Sequence, residues 1–127
     1  ASGLGAGLVA FLNARLETGI DIILDTVDYE KRLENVNLVI TGEGMLDGQS
    51  IYGKTPIGVA KRAKKYNIPV IALAGSLGSG VEKVLDYGID AYFSIIDRPD
   101  DLKSVIKRSN KLLESTAEQI IRTFLLN

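Results

Sequence analysis

Two carboxylates, one amide and one lysine (Glu43, Asp47, Gln49 and Lys54) fall within a single glycine-rich run, Thr41-Gly42-Glu43-Gly44-Met45-Leu46-Asp47-Gly48-Gln49-Ser50-Ile51-Tyr52-Gly53-Lys54-Thr55-Pro56. Carboxylates in such a setting can accept a substrate proton or hold Mg²⁺, directly or through water. The lysine can neutralise phosphate oxygens, and Gly42 and Gly44 allow backbone to approach a ligand closely. The inventory suits an anionic, phosphorylated ligand. The competing reading has Glu43 and Asp47 capping turns and Lys54 as a solvated charge. Clustering favours the ligand-binding reading, because polar groups converging in a cleft make the default site.

The remaining composition narrows the chemistry. Histidine and cysteine are both absent. Imidazole acid/base catalysis, the serine triad, thiolate chemistry, disulfide frameworks and most transition-metal sites are thereby excluded. The 127 residues, 46% hydrophobic and 24% charged, suit one domain with one real core. A net charge of −1 supplies no field for nucleic acid or an anionic membrane. Apolar runs such as Val70 to Ala74 are too short to span a bilayer, and no signal-peptide pattern is present, so a cytoplasmic protein is expected. The chain opens Ala1-Ser2-Gly3 without an initiator Met, which suggests a fragment.

The elements that must position the glycine-rich run follow from periodicity. Leu4, Leu8, Phe11, Leu12 and Leu16 predict an amphipathic helix over 4–16, stopped by Thr18-Gly19. Residues 20–35 predict two short helices, the second capped by Asp28. Leu38 to Thr41 predicts a buried strand. Thr55-Pro56 predicts an N-cap and first helical residue of a helix to about Tyr66. Ile68 to Ala74 predicts a second strand. Ser79 and Glu82 have capping-box spacing for a helix ending at Gly88. Ala91 to Ile96 predicts a third strand. Asp100 or Asp101 opens a long last helix with Leu102, Val105, Ile106, Leu112, Leu113, Ile120, Ile121 and Phe124 on one face. Continuous apolar strands alternating with helices imply a three-layer α/β sandwich, Rossmann-like, with a short parallel sheet and helices on both faces.

Parallel pairing would bring the loop Gly42 to Lys54 and a second glycine-rich loop, Gly75-Ser76-Leu77-Gly78-Ser79-Gly80, to one carboxyl edge, where open sheets bind ligands. The second loop lacks a Walker lysine and misses G-x-G-x-x-G spacing, so a phosphate cradle and a plain strand-to-helix turn weigh equally. Gly3-Leu4-Gly5-Ala6-Gly7 has no preceding strand in this chain and reads as helix packing or a loop. Lys61-Arg62-Lys64-Lys65 reads as a solvated helix face, with Lys64 and Lys65 complementing the helix dipole.

The segments Leu38 to Gly44, Leu46-Asp47-Gly48-Gln49, Gly53 to Ala60, Pro69 to Gly78 and Gly88 to Ala91 together resemble the glycerate kinase family, the bacterial type that phosphorylates D-glycerate with ATP. Gly3 to Gly7 through Phe11-Leu12 is similar to the segment just upstream in that family. The resemblance implies a two-domain kinase of which this single α/β domain, 1–127, is the C-terminal portion, its own N-terminal part being the missing partner. It implies ATP and Mg²⁺ as cofactors, with Glu43, Asp47 and Lys54 catalytic and Glu43 and Asp47 meeting the metal or the attacking hydroxyl. Thr41, Gly42, Gly44, Gln49, Ser50, Gly75, Ser76 and Gly78 would hold substrate or nucleotide. Such a piece would be inactive alone, and apolar surface left uncovered would favour a homodimer. A non-catalytic Rossmann-like nucleotide- or phosphate-binding module and a purely structural interaction domain are the alternatives.

Overall fold

The computed structural model describes residues 14–17 and 33–126, the former by backbone alone. Four parallel strands form one sheet in the order β1-β2-β3-β4: β1 (Ala14–Glu17), β2 (Leu38–Leu46), β3 (Val70–Leu77) and β4 (Ala91–Ser94). The helices are α1 (Thr55–Lys64), α2 (Leu102–Lys107) and α3 (Ser109–Phe124). Gly48–Tyr52 and Val81–Tyr87 form 3₁₀ helices.

The strands are apolar on both faces because both faces are covered. Val39 points with Val70, Ala72 and Ala74 into a core under α1 and the second 3₁₀ helix, built around Val59, Ala60, Ala63 and Val84. Leu38, Ile40 and Leu73 point the opposite way, into a core under α2 and α3 built around Val105, Leu112, Leu113 and Ala117. The connections β2-to-β3 and β3-to-β4 lie on the same face, as right-handed crossovers advancing one strand at a time require. The chain after β4 covers the other face. This is the expected three-layer α/β architecture.

Several boundaries differ from expectation. Ala14–Leu16 belong to β1, not to a helix; the register Ala14↔Leu38 to Glu17↔Thr41 pairs them with the edge of β2. Tertiary pairing outweighs a short helical period here, and Ala14/Leu16 alternating with Arg15/Glu17 fits a strand equally well. The rest of the 4–16 helix, the Gly3–Gly7 motif, the Thr18-Gly19 stop, the Asp28 cap and residues 20–32 lie outside the described residues. Residues 33–35 form a turn, with Asn35 at φ 64. Lys54, rather than Thr55, is the N-cap of α1, and Pro56 sits second in the helix, where a missing N–H costs no intrahelical bond. Gly80, at φ 79, rather than Ser79, opens the second 3₁₀ helix, and Gly88, at φ 100, closes it as expected. Asp101 caps α2 through its side chain, accepting from Ser104 N–H at 2.8 Å.

The predicted last helix is two. Its break is Arg108, whose guanidinium is held by Asp100 at 3.0 Å and Asp97 at 3.4 Å. Leu102 and Ile106 consequently stay exposed, while Leu112, Leu113 and Ile120 are buried. No helix among the described residues is long and apolar enough to cross a membrane.

Candidate functional site

Both glycine-rich segments begin as strand. β2 continues through Gly42-Glu43-Gly44-Met45-Leu46 and β3 through Gly75-Ser76-Leu77, paired as Glu43↔Ala74, Met45↔Ser76 and Leu46↔Leu77. Glycine makes this extension possible at one point above all. A Cβ on Gly75 would stand 2.9 Å from the Gly44 carbonyl oxygen, closer than real contacts allow. Beyond the strands the segments stay in contact. Gly78 N–H donates to Leu46 O at 2.7 Å, and Gly48 N–H donates to Ser79 O at 2.9 Å. The two segments therefore share the carboxyl edge of the sheet, as the alternation of strands and helices implied.

Asp47 follows β2 and is the N-cap of the first 3₁₀ helix. Its Oδ1 accepts from Gln49 N–H at 2.9 Å, while Ser50 Oγ accepts from Asp47 N–H at 3.0 Å, a reciprocal capping box. Gly53, at φ 102, closes that turn and delivers Lys54, whose Nζ donates to the Met45 carbonyl at 3.2 Å. Lys54 thus bends back over the end of β2. Glu43 is half-buried, its carboxylate accepting from Gly44 N–H at 3.0 Å. The carboxylates of Glu43 and Asp47 do cap local N–H groups, as the bland reading required, yet they do so at the strand edge where a ligand would lie. Extended backbone separates their Cα atoms by roughly 13 Å. Among the described residues no group of three or more metal-ligating side chains is found. The pair therefore suits a Mg²⁺ that arrives on phosphate oxygens and meets one carboxylate, directly or through water, rather than a closed protein cage.

Three expected binding residues are structural in position. Thr41 and Ser50 are fully buried, and Gly42 is buried in the β2–β3 pairing. Their side chains or backbone hold the edge in shape and do not line a surface. Gly44, Gln49 and Ser76 are exposed; Gly78 is partly covered, and a Cβ there would stand 3.0 Å from both Asp47 Cβ and Met45 Cε.

Two clefts reach this edge: Lys54 lines one and Gly44, Gly75 and Ser76 line the other, while Glu43, Asp47 and Gln49 line neither. On the α1 side, a cleft of about 610 Å³ is lined by Lys54, Lys61, Lys64 and Tyr87, among others. Lys64 there is bonded to the Asp90 carboxylate and to Ile68 O at 3.1 Å, so the basic run is more than a solvated face. On the α2 side, a cleft of about 490 Å³ is lined by Gly44, Gly75 and Ser76 together with Ile96, Asp100, Leu102 and Ile106. The last four were missed in sequence, because Leu102 and Ile106 read as core positions of one continuous helix. The Asp100 carboxyl is held below the usual carboxylate range, first by the Ser104 hydroxyl and then by the Asp101 N–H, against an opposing effect of burial, with Arg108 adding a lesser lowering.

The family model describing the glycerate kinase family matches residues 1–125. The chain is 50% identical over 120 residues to a glycerate kinase of Halalkalibacterium halodurans, covering 94% of this chain and 32% of that protein. It is 47% identical over 120 residues to a glycerate kinase of Bacillus subtilis, covering 94% and 31%. It is 53% identical over 96 residues to a glycerate 2-kinase of Escherichia coli, covering 76% and 25%. The crystal structure of a candidate glycerate kinase 2 from Salmonella typhimurium superposes with a TM-score of 0.61 at 39% identity, covering 88% of this chain and 27% of that one. The chain spans about a third of the length of the first two of these relatives. A match from end to end, on the fold and edge described above, shows that the chain belongs to the glycerate kinase family.

Proposed function

We propose that the intact protein carrying this chain transfers the γ-phosphoryl group of ATP to a hydroxyl of D-glycerate in the cytoplasm. This α/β domain, as the C-terminal portion of a two-domain kinase, would contribute the carboxyl-edge part of the site. The observation that carries this reading is that Glu43, Asp47, Gln49, Lys54 and the second glycine segment all lie at the carboxyl edge of β2 and β3, in a chain of this family.

In the reaction the glycerate hydroxyl oxygen forms a bond to the γ-phosphorus as the bond to the β–γ bridging oxygen breaks and ADP leaves. Positioning and charge neutralisation are the main demands. Lys54, held over the end of β2, offers its ammonium to phosphate or glycerate oxygens. Asp47, fixed by its capping box, accepts the hydroxyl proton or meets the metal, and Glu43 is the alternative for either task. Gln49 orients substrate oxygens. The Ser76 hydroxyl and the bare backbone at Gly75 would face the donor phosphates. Mg²⁺ bound on the nucleotide would neutralise charge on the transferring group.

The test uses the full-length protein with D-glycerate and ATP–Mg²⁺. Asp47→Asn is expected to lower kcat at least about 100-fold, the contribution typical of a positioned acid or base. Turnover within twofold of the unsubstituted protein would remove Asp47 from the reaction. Lys54→Ala is expected to raise KM for ATP or glycerate and lower kcat, and unchanged values for all three would make it a solvated charge. Chelation by EDTA should abolish turnover and added Mg²⁺ should restore it. Nucleotide binding with no phosphorylation of any small hydroxy acid would instead favour the non-catalytic module.

A further inference from the structure

The α2-side cleft combines three features: a glycine that packing among the described residues does not require, exposed aliphatics and a carboxylate. Gly44 has neither a left-handed φ nor a crowded site: a Cβ there would meet no atom within 4 Å. Nothing in the backbone or the core demands glycine, yet its bare backbone lines the cleft. Leu102 and Ile106, one turn apart on α2, line the same cleft with 74% and 62% of their surface exposed, beside Ile96 at 41%. Large aliphatics kept in water around a concave wall mark a surface meant to be covered. The ionisable residue among the described lining is Asp100, an acid. Its Oδ1 accepts from Asp101 N–H at 2.8 Å, and its Oδ2 accepts from Ser104 Oγ at 2.8 Å and Arg108 at 3.0 Å. A carboxylate has about four acceptor positions, so one remains on Oδ1.

These features select the ligand by charge and shape. An anion such as a phosphate or glycerate gains nothing from aliphatic walls, and the nearby Arg108 is already held by Asp97 and Asp100. A neutral, flat, partly apolar group with a hydroxyl to donate fits all three. A volume of about 490 Å³ lies within the usual range for small-molecule sites. We propose that this cleft receives the nucleoside end of the phosphoryl donor, the base lying between the Gly44 backbone and Leu102, Ile106 and Ile96, with a ribose hydroxyl donating to Asp100. The phosphates then run outward along the β2–β3 edge toward Lys54, which opens onto the opposite cleft. The proposal rests on the reading above that the intact protein uses a nucleotide.

The test measures binding of adenosine, ADP and D-glycerate to the full-length protein by calorimetry, for the unsubstituted form, Gly44→Val and Ile106→Ser. Both substitutions fall where the fold has room, so melting temperatures should change little. Adenosine and ADP are expected to bind about tenfold more weakly to each variant, with D-glycerate affinity within about twofold. Unchanged nucleotide affinity in both variants overturns the assignment, as does lost glycerate affinity with nucleotide affinity retained; either leaves the kinase reading standing. A lowered melting temperature with nucleotide affinity unchanged also overturns it, since the cleft would then be covered by another part of the protein. If Gly44→Val does not fold, Ile106→Ser decides alone. Failure of the unsubstituted protein to bind any nucleotide, with or without Mg²⁺, overturns both readings.

Discussion

Gly44 and Gly75 are neighbours across the β2–β3 pair and are glycine for different reasons. A Cβ on Gly75 collides with the Gly44 carbonyl, a backbone atom that cannot swing away, whereas Gly44 has open space above it. Gly75→Ala should therefore destabilise by about 1–3 kcal/mol, the usual cost of overpacking. Gly44→Ala should stay within about 0.5 kcal/mol in the same urea titration. The sequence shows both glycines but not this difference, which depends on which strand lies alongside. Asp100 gives a pH signature. Its carboxyl is depressed in the folded state, so its contribution to stability is fully present above the unfolded value of about 3.9 and is lost as pH falls through the folded value. Asp100→Asn should accordingly be less stable than the unsubstituted protein at neutral pH, and the gap should close below about pH 4, as thermal melts across that range would record.

The caps explain which elements were legible in advance. Asp101 before Leu102 is a conventional N-cap, and Gly88 ends its helix by a left-handed φ that only glycine adopts readily. Asp101→Ala should cost about 1 kcal/mol by loss of the bond to Ser104 N–H, seen as a shift in the urea midpoint. Ser50 is more telling. Its hydroxyl is buried and receives the Asp47 N–H. Ser50→Ala should cost about 1–3 kcal/mol by leaving that donor unpaired, and should release Asp47 from its fixed orientation. In sequence Ser50 looked like a ligand-binding serine, because the capping box at Asp47 exists only once the chain turns into a 3₁₀ helix there. The carboxyl ends of β2 and β3 run beyond the expected strands for a related reason, whereas β4 stops at Ser94, short of the expected Ile96. Glycine-rich segments have poor strand propensity, and only parallel pairing with a partner keeps Gly42–Leu46 and Gly75–Leu77 extended.

The sheet separates two cores that share no side chains. Val59→Ala removes one methyl pair from the α1 side and Leu113→Ala empties part of the α3 side. Each should destabilise, Val59→Ala by about 1–2 kcal/mol and Leu113→Ala by about 2–5 kcal/mol. The double variant should equal the sum within about 0.5 kcal/mol, because helix layers on opposite faces lie well beyond coupling distance. A large deviation would mean that the sheet transmits strain between its faces. The order of apolar runs and turn residues was enough to predict a parallel α/β sandwich with two glycine segments at one edge, since burial on both faces and right-handed connection leave few other arrangements. The break at Arg108 depends instead on Asp97 and Asp100 folding back to meet its guanidinium. The partition of the edge into a lysine-lined cleft and an aliphatic one depends on that break, because it turns Leu102 and Ile106 outward. Periodicity within one segment carries no information about charges and backbones brought together from distant segments, so these features emerge only when the layers pack.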